Sequence, residues 1–314
     1  MKKTILALGT MLPSEMAELE AKYNLIRLWK EADPEATLQS VKQDVVAIVS
    51  AFNGMQVTRS IIEALPNLEL IAQYGAGVNN IDVAAAKDRH IAVTSTPETP
   101  MNDTADTALG LIINTLRRFV EADVFLRIGK WNTGSFPLAT SLTGKKVGII
   151  GMGRIGQAIA RRCEAFEMEV SYFGPRKKTD LPHTYYSSVV DLAANVDVLV
   201  CSCVGGAETH HIVNGQVLRA LGGKGILVNV ARGSVVNTDD LLVALSNKEI
   251  AGAGLDVYEN EPSVPESLIS MDNVVLLPHI GGHTHETKTG MGQLVIANIE
   301  AHFNGQPLLT PFAA

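Results

Sequence analysis

One hexapeptide limits what this chain can fold into. Gly151-Met152-Gly153-Arg154-Ile155-Gly156 follows the apolar run KKVGII (145–150) and opens the amphipathic run RIGQAIARR (154–162). Glycines at this spacing, between a strand and a helix, mark the first turn of a dinucleotide-binding βαβ unit. Gly151 makes the tight turn, Gly153 lets the backbone approach a pyrophosphate, and Gly156 lets helix and strand pack closely. The helix opening at Arg154 and Ile155 offers free N–H groups and a positive dipole end to the phosphates.

The rest of the chain carries the same grammar. Short apolar runs such as ILAL, VVAIV, LELIA and IAV alternate with amphipathic stretches in the first ninety-odd residues, and KKVGII, EVSYF, DVLVCSCV, GILVNV, AGLDVY and VVLLP do so after residue 144. Such alternation builds parallel sheets with helices on both faces, and 314 residues suit two domains. Between the halves, residues 102–129 have helical spacing and no proline, so the pattern predicts one long connecting helix capped by Asn102 or Asp103. Asn237 or Thr238 is expected to cap the helix TDDLLVALSNKE, and Gly305 to stop the last helix.

A net charge of −7 argues against nucleic acid as a partner, because phosphate-rich ligands want a basic face. No apolar run approaches membrane-spanning length, and the opening MKKTILALGT is cut too early by Gly9 to be an export signal. The cysteines, Cys163, Cys201 and Cys203, are odd in number and form no CxxC pair. They fit a reducing, cytoplasmic setting, with Cys201 and Cys203 as small buried residues of one strand. His279, His283 and His285 have ligand-like spacing, but Gly281 and Gly282 interrupt any helix through them, so no metal is expected.

The second strand of the nucleotide unit ends in Ser171-Tyr172-Phe173-Gly174-Pro175-Arg176-Lys177-Lys178. An acidic residue there would bind a ribose 2′-hydroxyl and repel a 2′-phosphate; Gly174 stands in its place, and Arg176 and Lys177 follow. The reading favours NADP(H), with NAD(H) still open through Asp180. Three polar residues close successive later strands: Arg232 after GILVNVA, Glu261 after AGLDVYEN, His279 after VVLLP. Ligands of open parallel sheets sit at strand carboxyl ends, so these three can share one pocket. The set suits reduction of a 2-oxo acid: His279 as proton donor, Glu261 orienting it, Arg232 clamping carboxylate and carbonyl.

From end to end the chain resembles the D-isomer-specific 2-hydroxyacid dehydrogenases. The resemblance rests on Tyr74-Gly75-Ala76-Gly77-Val78-Asn79-Asn80-Ile81-Asp82, the glycine motif, Asn229-Val230-Ala231-Arg232-Gly233, Asp256-Val257-Tyr258-Glu259-Asn260-Glu261-Pro262 and Pro278-His279-Ile280-Gly281-Gly282. It implies two doubly wound α/β domains: a flavodoxin-like substrate domain from residues 1–99 and 286–314, and a Rossmann cofactor domain from 100–285. It implies that Arg232, Glu261 and His279 are catalytic, and that main-chain N–H groups of Ala76, Gly77 and Val78 join Arg232 and His279 in holding substrate. The cofactor set it implies is Gly151, Gly153, Arg154, Ile155, Gly156, Gly174, Arg176, Lys177, Val230, Ala231, Asp256 and Gly281, with Asp256 on the nicotinamide carboxamide. A homodimer through the cofactor domains is implied as well.

Within the family, the basic loop resembles that of NADPH-dependent glyoxylate/hydroxypyruvate and hydroxyphenylpyruvate reductases, although Arg176 sits one place later here. A larger 2-oxo acid, hydroxyphenylpyruvate or a sugar 2-keto acid, is the alternative substrate. A non-catalytic NAD(P)-binding module of the corepressor kind is the alternative function.

Overall fold

The computed structural model describes residues 2–312. It divides into two compact units, Met1–Pro100 with Gly282–Ala314, and Met101–Gly281. The return to the first unit comes at 281/282, four residues before the expected 285/286.

The first unit runs β1 (Thr4–Ala7), α1 (Pro13–Lys22), β2 (Asn24–Arg27), α2 (Pro34–Val41), β3 (Val45–Ala51), α3 (Arg59–Ala64), β4 (Leu70–Tyr74), α4 (Val83–Asp88) and β5 (Ala92–Thr94). Its sheet is all-parallel in the order β2-β1-β3-β4-β5, the flavodoxin-like doubly wound order. Alternate residues of each strand feed opposite cores, as a period of two requires. Leu6, Ile48 and Ile71 pack with Ile62 and Ala85 on one face, while Ile5, Ala47, Val49, Leu70 and Ala72 face Met16 and Leu19 on the other.

The second unit runs α5 (Met101–Arg117), α6 (Phe119–Arg127), β6 (Lys146–Ile150), α7 (Arg154–Ala165), β7 (Glu169–Phe173), β8 (Thr184–Tyr186), α8 (Val189–Ala193), β9 (Val198–Cys201), α9 (Gly215–Leu221), β10 (Ile226–Asn229), α10 (Thr238–Ser246), β11 (Gly252–Leu255), α11 (Glu266–Ile269) and β12 (Val274–Leu276). Its seven strands are parallel in the order β12-β11-β10-β9-β6-β7-β8. In chain order that is the Rossmann arrangement with a seventh strand, and the order reverses between β6 and β9. The chain then re-enters the first unit as α12 (His285–Phe303), whose Met291, Val295, Ile296 and Ile299 cover the second face of that sheet. Among the described residues no helix is long and apolar enough to cross a membrane.

Three expectations need correction. The long connecting helix is two helices, because Arg118 takes a left-handed backbone (φ 55°) between α5 and α6. There the Leu116 carbonyl accepts the Thr140 N–H at 3.0 Å, and the Arg118 guanidinium pairs with Glu121 in the first turn of α6. Asn102 and Asp103 lie inside the first turn of α5, which starts at Met101, so neither is its cap. Cys203 is not on the strand: β9 ends at Cys201, and Cys203 lies beyond it. The expected cap of α10 resolves to Asn237, whose side chain accepts the Asp240 N–H at 3.0 Å.

Candidate active site

The glycine turn leaves β6 at its carboxyl end, beside the switch point. Gly151 has φ 96°, and a Cβ there would lie 2.6 Å from the backbone of Cys203. A Cβ on Gly156 would lie 2.2 Å from the Gly151 carbonyl oxygen, so only glycine lets α7 start this close to the turn. A Cβ on Gly153 would instead meet nothing within 4 Å, so that position faces open space at the α7 N-terminus. Tight packing below and an open cradle above, at a helix start that attracts anions, fit a pyrophosphate.

The loop after β7 is held at both ends. Tyr172 accepts the Lys178 N–H at 2.7 Å, and Tyr185 donates to the Gly174 carbonyl at 3.2 Å. Gly174 is buried, whereas Arg176 and Lys177 are exposed. The tether thus presents two cations and no carboxylate directly after the strand. Val230 and Ala231 are buried at the end of β10.

Arg232 is set by an Asx turn. Asn229 accepts the Ala231 N–H through Oδ1 at 3.0 Å and donates through Nδ2 to the Arg232 carbonyl at 3.0 Å. The arginine stem packs so close to Gly205 that a Cβ there would sit 2.8 Å from its Cγ. Burial pushes the Arg232 pKa down, and the charge of Glu261 opposes that shift.

Glu261 and His279 meet directly, with His279 Nδ1 2.7 Å from Glu261 Oε2. The other glutamate oxygen accepts the Tyr258 N–H at 2.9 Å. Burial would raise the Glu261 pKa, but the hydrogen bonds from His279 and Tyr258 and the nearby positive charges win, and the carboxyl titrates below its ordinary range. His279 itself has a left-handed backbone, φ 55°. Asp256, almost wholly buried, holds that turn: its two oxygens accept the Ile280 and Gly281 N–H groups at 2.7 and 2.8 Å. Burial raises the Asp256 pKa, with the two amide bonds pulling the other way.

In the first unit, Ala76, Gly77 and Val78 follow β4. Their loop is pinned by Gln73, which donates to the Gly77 carbonyl at 3.2 Å and to Asn80 Oδ1 at 2.8 Å. Among the described residues the N–H groups of Ala76, Gly77 and Val78 have no hydrogen-bond partner. Successive unpaired amides of this kind form an anion-binding concavity.

Sequence reasoning passed over the residues that brace these groups. Besides its amide bond to Glu261, Tyr258 donates its hydroxyl to the carbonyls of Leu277 and Leu255 at 2.9 and 3.3 Å, tying the Glu261 loop to the strand that leads to His279. Tyr258 and Asn229 lie inside segments already singled out, so the signal was there but their partners were not. Burial pushes the Cys163 thiol up to about 12, the Cys203 thiol up to about 11 and the Cys201 thiol well above its ordinary value, which works against the reactive thiolate form.

Residues 109–281 match the family described as D-isomer specific 2-hydroxyacid dehydrogenase, NAD binding domain. Over its length the chain is 46% identical to glyoxylate/hydroxypyruvate reductase A of Arabidopsis thaliana, covering 94% of each chain. It is 44% identical to hydroxyphenylpyruvate reductase of Plectranthus scutellarioides, covering 97% of this chain and 99% of the other. Among solved structures, the NADPH-dependent glyoxylate/hydroxypyruvate reductase of Sinorhizobium meliloti, in complex with NADP and malonate, superposes with a TM-score of 0.91 at 40% identity, covering 100% of this chain and 97% of the other.

The depressed Glu261 pKa fixes the sign of a pH effect. Stabilisation from its ionised form is complete above the ordinary glutamate value of about 4.3 and is lost as pH falls through the lower folded-state value. In urea unfolding, the stability gap between wild type and Glu261→Gln should therefore close as pH falls through and below the ordinary glutamate range. A gap unchanged down to about pH 2, well below that glutamate range, would show that the Glu261 charge contributes nothing.

Proposed function

The chain belongs to the D-isomer-specific 2-hydroxyacid dehydrogenase family, and from that membership we propose that it reduces a small 2-oxo acid of the glyoxylate/hydroxypyruvate type to the D-2-hydroxy acid with NADPH. The observation that carries this reading is the His279–Glu261 pair at 2.7 Å, at the strand ends that also bear Arg232. Two of the relatives named above are glyoxylate/hydroxypyruvate reductases, and the S. meliloti one is NADPH-dependent. A 2-oxo acid with a larger side chain is the second reading, supported by the 44% identity to a hydroxyphenylpyruvate reductase.

A bound nicotinamide supplies the hydride. The proton comes from His279: with Nδ1 committed to Glu261, Nε2 is the nitrogen left to donate to the carbonyl oxygen. Glu261 fixes the ring orientation through its bond to Nδ1. Arg232 stabilises negative charge on the substrate carboxylate and the developing alkoxide. The Ala76, Gly77 and Val78 amides are assigned to the same carboxylate.

On the cofactor side, Gly151, Gly153, Arg154, Ile155 and Gly156 are assigned to the pyrophosphate, and Arg176 and Lys177, beside Gly174, to the 2′-phosphate. Val230, Ala231, Asp256 and Gly281 are assigned to the nicotinamide end. Asp256 retains one acceptor lone pair on each oxygen for the carboxamide.

The division of labour proposed is by domain: residues 1–99 with 286–314 hold substrate and 100–285 hold cofactor, whereas the compact units divide at 100/101 and 281/282. The assembly proposed is a homodimer through the second unit. Phe119, Val120, Val124, Leu126 and Ile128, on or just after α6, and Trp131 beyond them are all exposed, more apolar surface than a monomer needs. The setting proposed is the cytoplasm, where reduced thiols and NADPH coexist.

Three outcomes check the proposal. His279→Ala should lower kcat with glyoxylate or hydroxypyruvate by about 100- to 10,000-fold and leave the Kd for NADPH nearly unchanged; near-normal turnover would take the proton-donor role away from His279. Arg176→Ala should weaken NADPH by about tenfold or more, the value of one charge-assisted bond, and barely touch NADH; an equal effect on both would place the 2′-phosphate elsewhere. Trp131→Arg should shift the light-scattering mass from dimer to monomer, and a wild type that is already monomeric would end the dimer assignment.

A further inference from the structure

A second histidine–carboxylate pair stands behind the first. His211 lies in the loop between β9 and α9, and its Nε2 is 2.5 Å from Glu259 Oε1. Glu259 is two residues before Glu261. Its other oxygen accepts the Thr238 N–H at 3.1 Å, at the start of α10. His211 Nδ1 faces the Asn237 side-chain nitrogen at 3.3 Å. Like His279, His211 has a left-handed backbone, φ 50°. Non-glycine residues in that region are uncommon and persist where their surroundings over-determine them.

The hydrogen bonds around this pair fix its chemistry. Asn237 Oδ1 caps α10 by accepting the Asp240 N–H, so the amide must turn its NH2 toward His211. His211 Nδ1 is then an acceptor, and Nε2 carries the proton given to Glu259. Both Glu259 oxygens accept. Burial works against the Glu259 carboxylate, but the hydrogen bonds from Thr238 and His211 outweigh it and hold its pKa below the ordinary range.

A metal does not explain the cluster, although ligand atoms of His210, His211 and Glu259 lie within 4.8 Å of one another. A cation on His211 Nε2 would move the ring proton to Nδ1, against the Asn237 NH2 group.

The pair joins three segments that the reaction needs held together. The His211 N–H donates to the Ser234 carbonyl at 2.8 Å, which ties its loop to the turn after Arg232. A Cβ on Gly233 would lie 1.9 Å from the Tyr258 carbonyl carbon, so the Arg232 turn sits directly on the loop of Glu259 and Glu261. We infer that His211 and Glu259 are positioning residues: they lock residues 256–261 against the Arg232 turn and so set Glu261, and through it His279, in place for proton transfer. This rests on the reading of Glu261 and His279 as the acid–base pair.

Steady-state kinetics with NADPH and hydroxypyruvate test it through a double-mutant cycle. His211→Leu should lower kcat by about 10- to 100-fold, the scale of a displacement of about 1 Å at a reacting group, with little change in the KM for NADPH. His211→Gln, which keeps an N–H donor toward Glu259, should recover most of that loss. In a Glu261→Gln background, His211→Leu should cost little more. Glu259→Gln, which turns a donor toward either Thr238 or His211, gives the same readings should the leucine variant fold poorly. Equal losses with and without Glu261, or a glutamine variant as impaired as leucine, would overturn the inference and leave a scaffold contact. Wild-type kcat for Glu261→Gln alone would remove the acid–base reading itself, and this inference with it.

Discussion

A nearly fully buried carboxylate, Asp256, accepts two consecutive main-chain N–H groups, and the position of His279 depends on that contact. Those amides follow a histidine with a left-handed backbone, a conformation a short turn does not hold unaided. Burying an ionisable group is costly unless its hydrogen bonds are made. Here two charge-assisted bonds offset part of the cost, and the turn they select points Nδ1 of His279 at Glu261. Glu261 is in turn fixed from its own side by the Tyr258 amide. The pair's geometry is thus specified from two directions before any ligand arrives.

The parallel sheet explains why these residues can meet at all. Arg232, Glu261 and His279 are far apart in sequence, yet each follows the carboxyl end of one of three adjacent strands, β10, β11 and β12. Adjacent strands lie about 5 Å apart, so side chains leaving their ends fall within reach of one another. Reversal of strand order between β6 and β9 opens a crevice on the same edge, where the glycine turn sits.

Much of this was legible in the amino-acid sequence, and what escaped has physical causes. The glycine turn is readable because close approach leaves no alternative residue at 151 and 156. Strands buried on both faces are readable as continuous apolar runs. The break at Arg118 is not, since a single left-handed residue leaves the helical spacing on both sides intact and arginine gives no warning of it. The edge strand Thr184–Tyr186 is short and polar, so it carries no apolar run to read. The bracing contacts are the least visible: His211 and Glu259 are 48 residues apart, and only the folded strand order brings them together. The amides of Ala76, Gly77 and Val78 are main-chain features that side-chain identity does not encode, and it is the family resemblance of the segment 74–82 that singles them out.

The discontinuity of the first unit sets an order of events during synthesis. One face of its sheet, built from Ile5, Ala47, Val49, Leu70 and Ala72, gains its cover of Met291, Val295, Ile296 and Ile299 only when the last helix leaves the ribosome. Between Tyr74 and Met291 lie all the strands of the second unit, so that unit is complete first. At translation rates of about 5–20 residues per second, the apolar face of the first sheet waits roughly 10–40 s for its helix. Over that interval the second unit is made and completed while the sheet of the first still lacks its last helix.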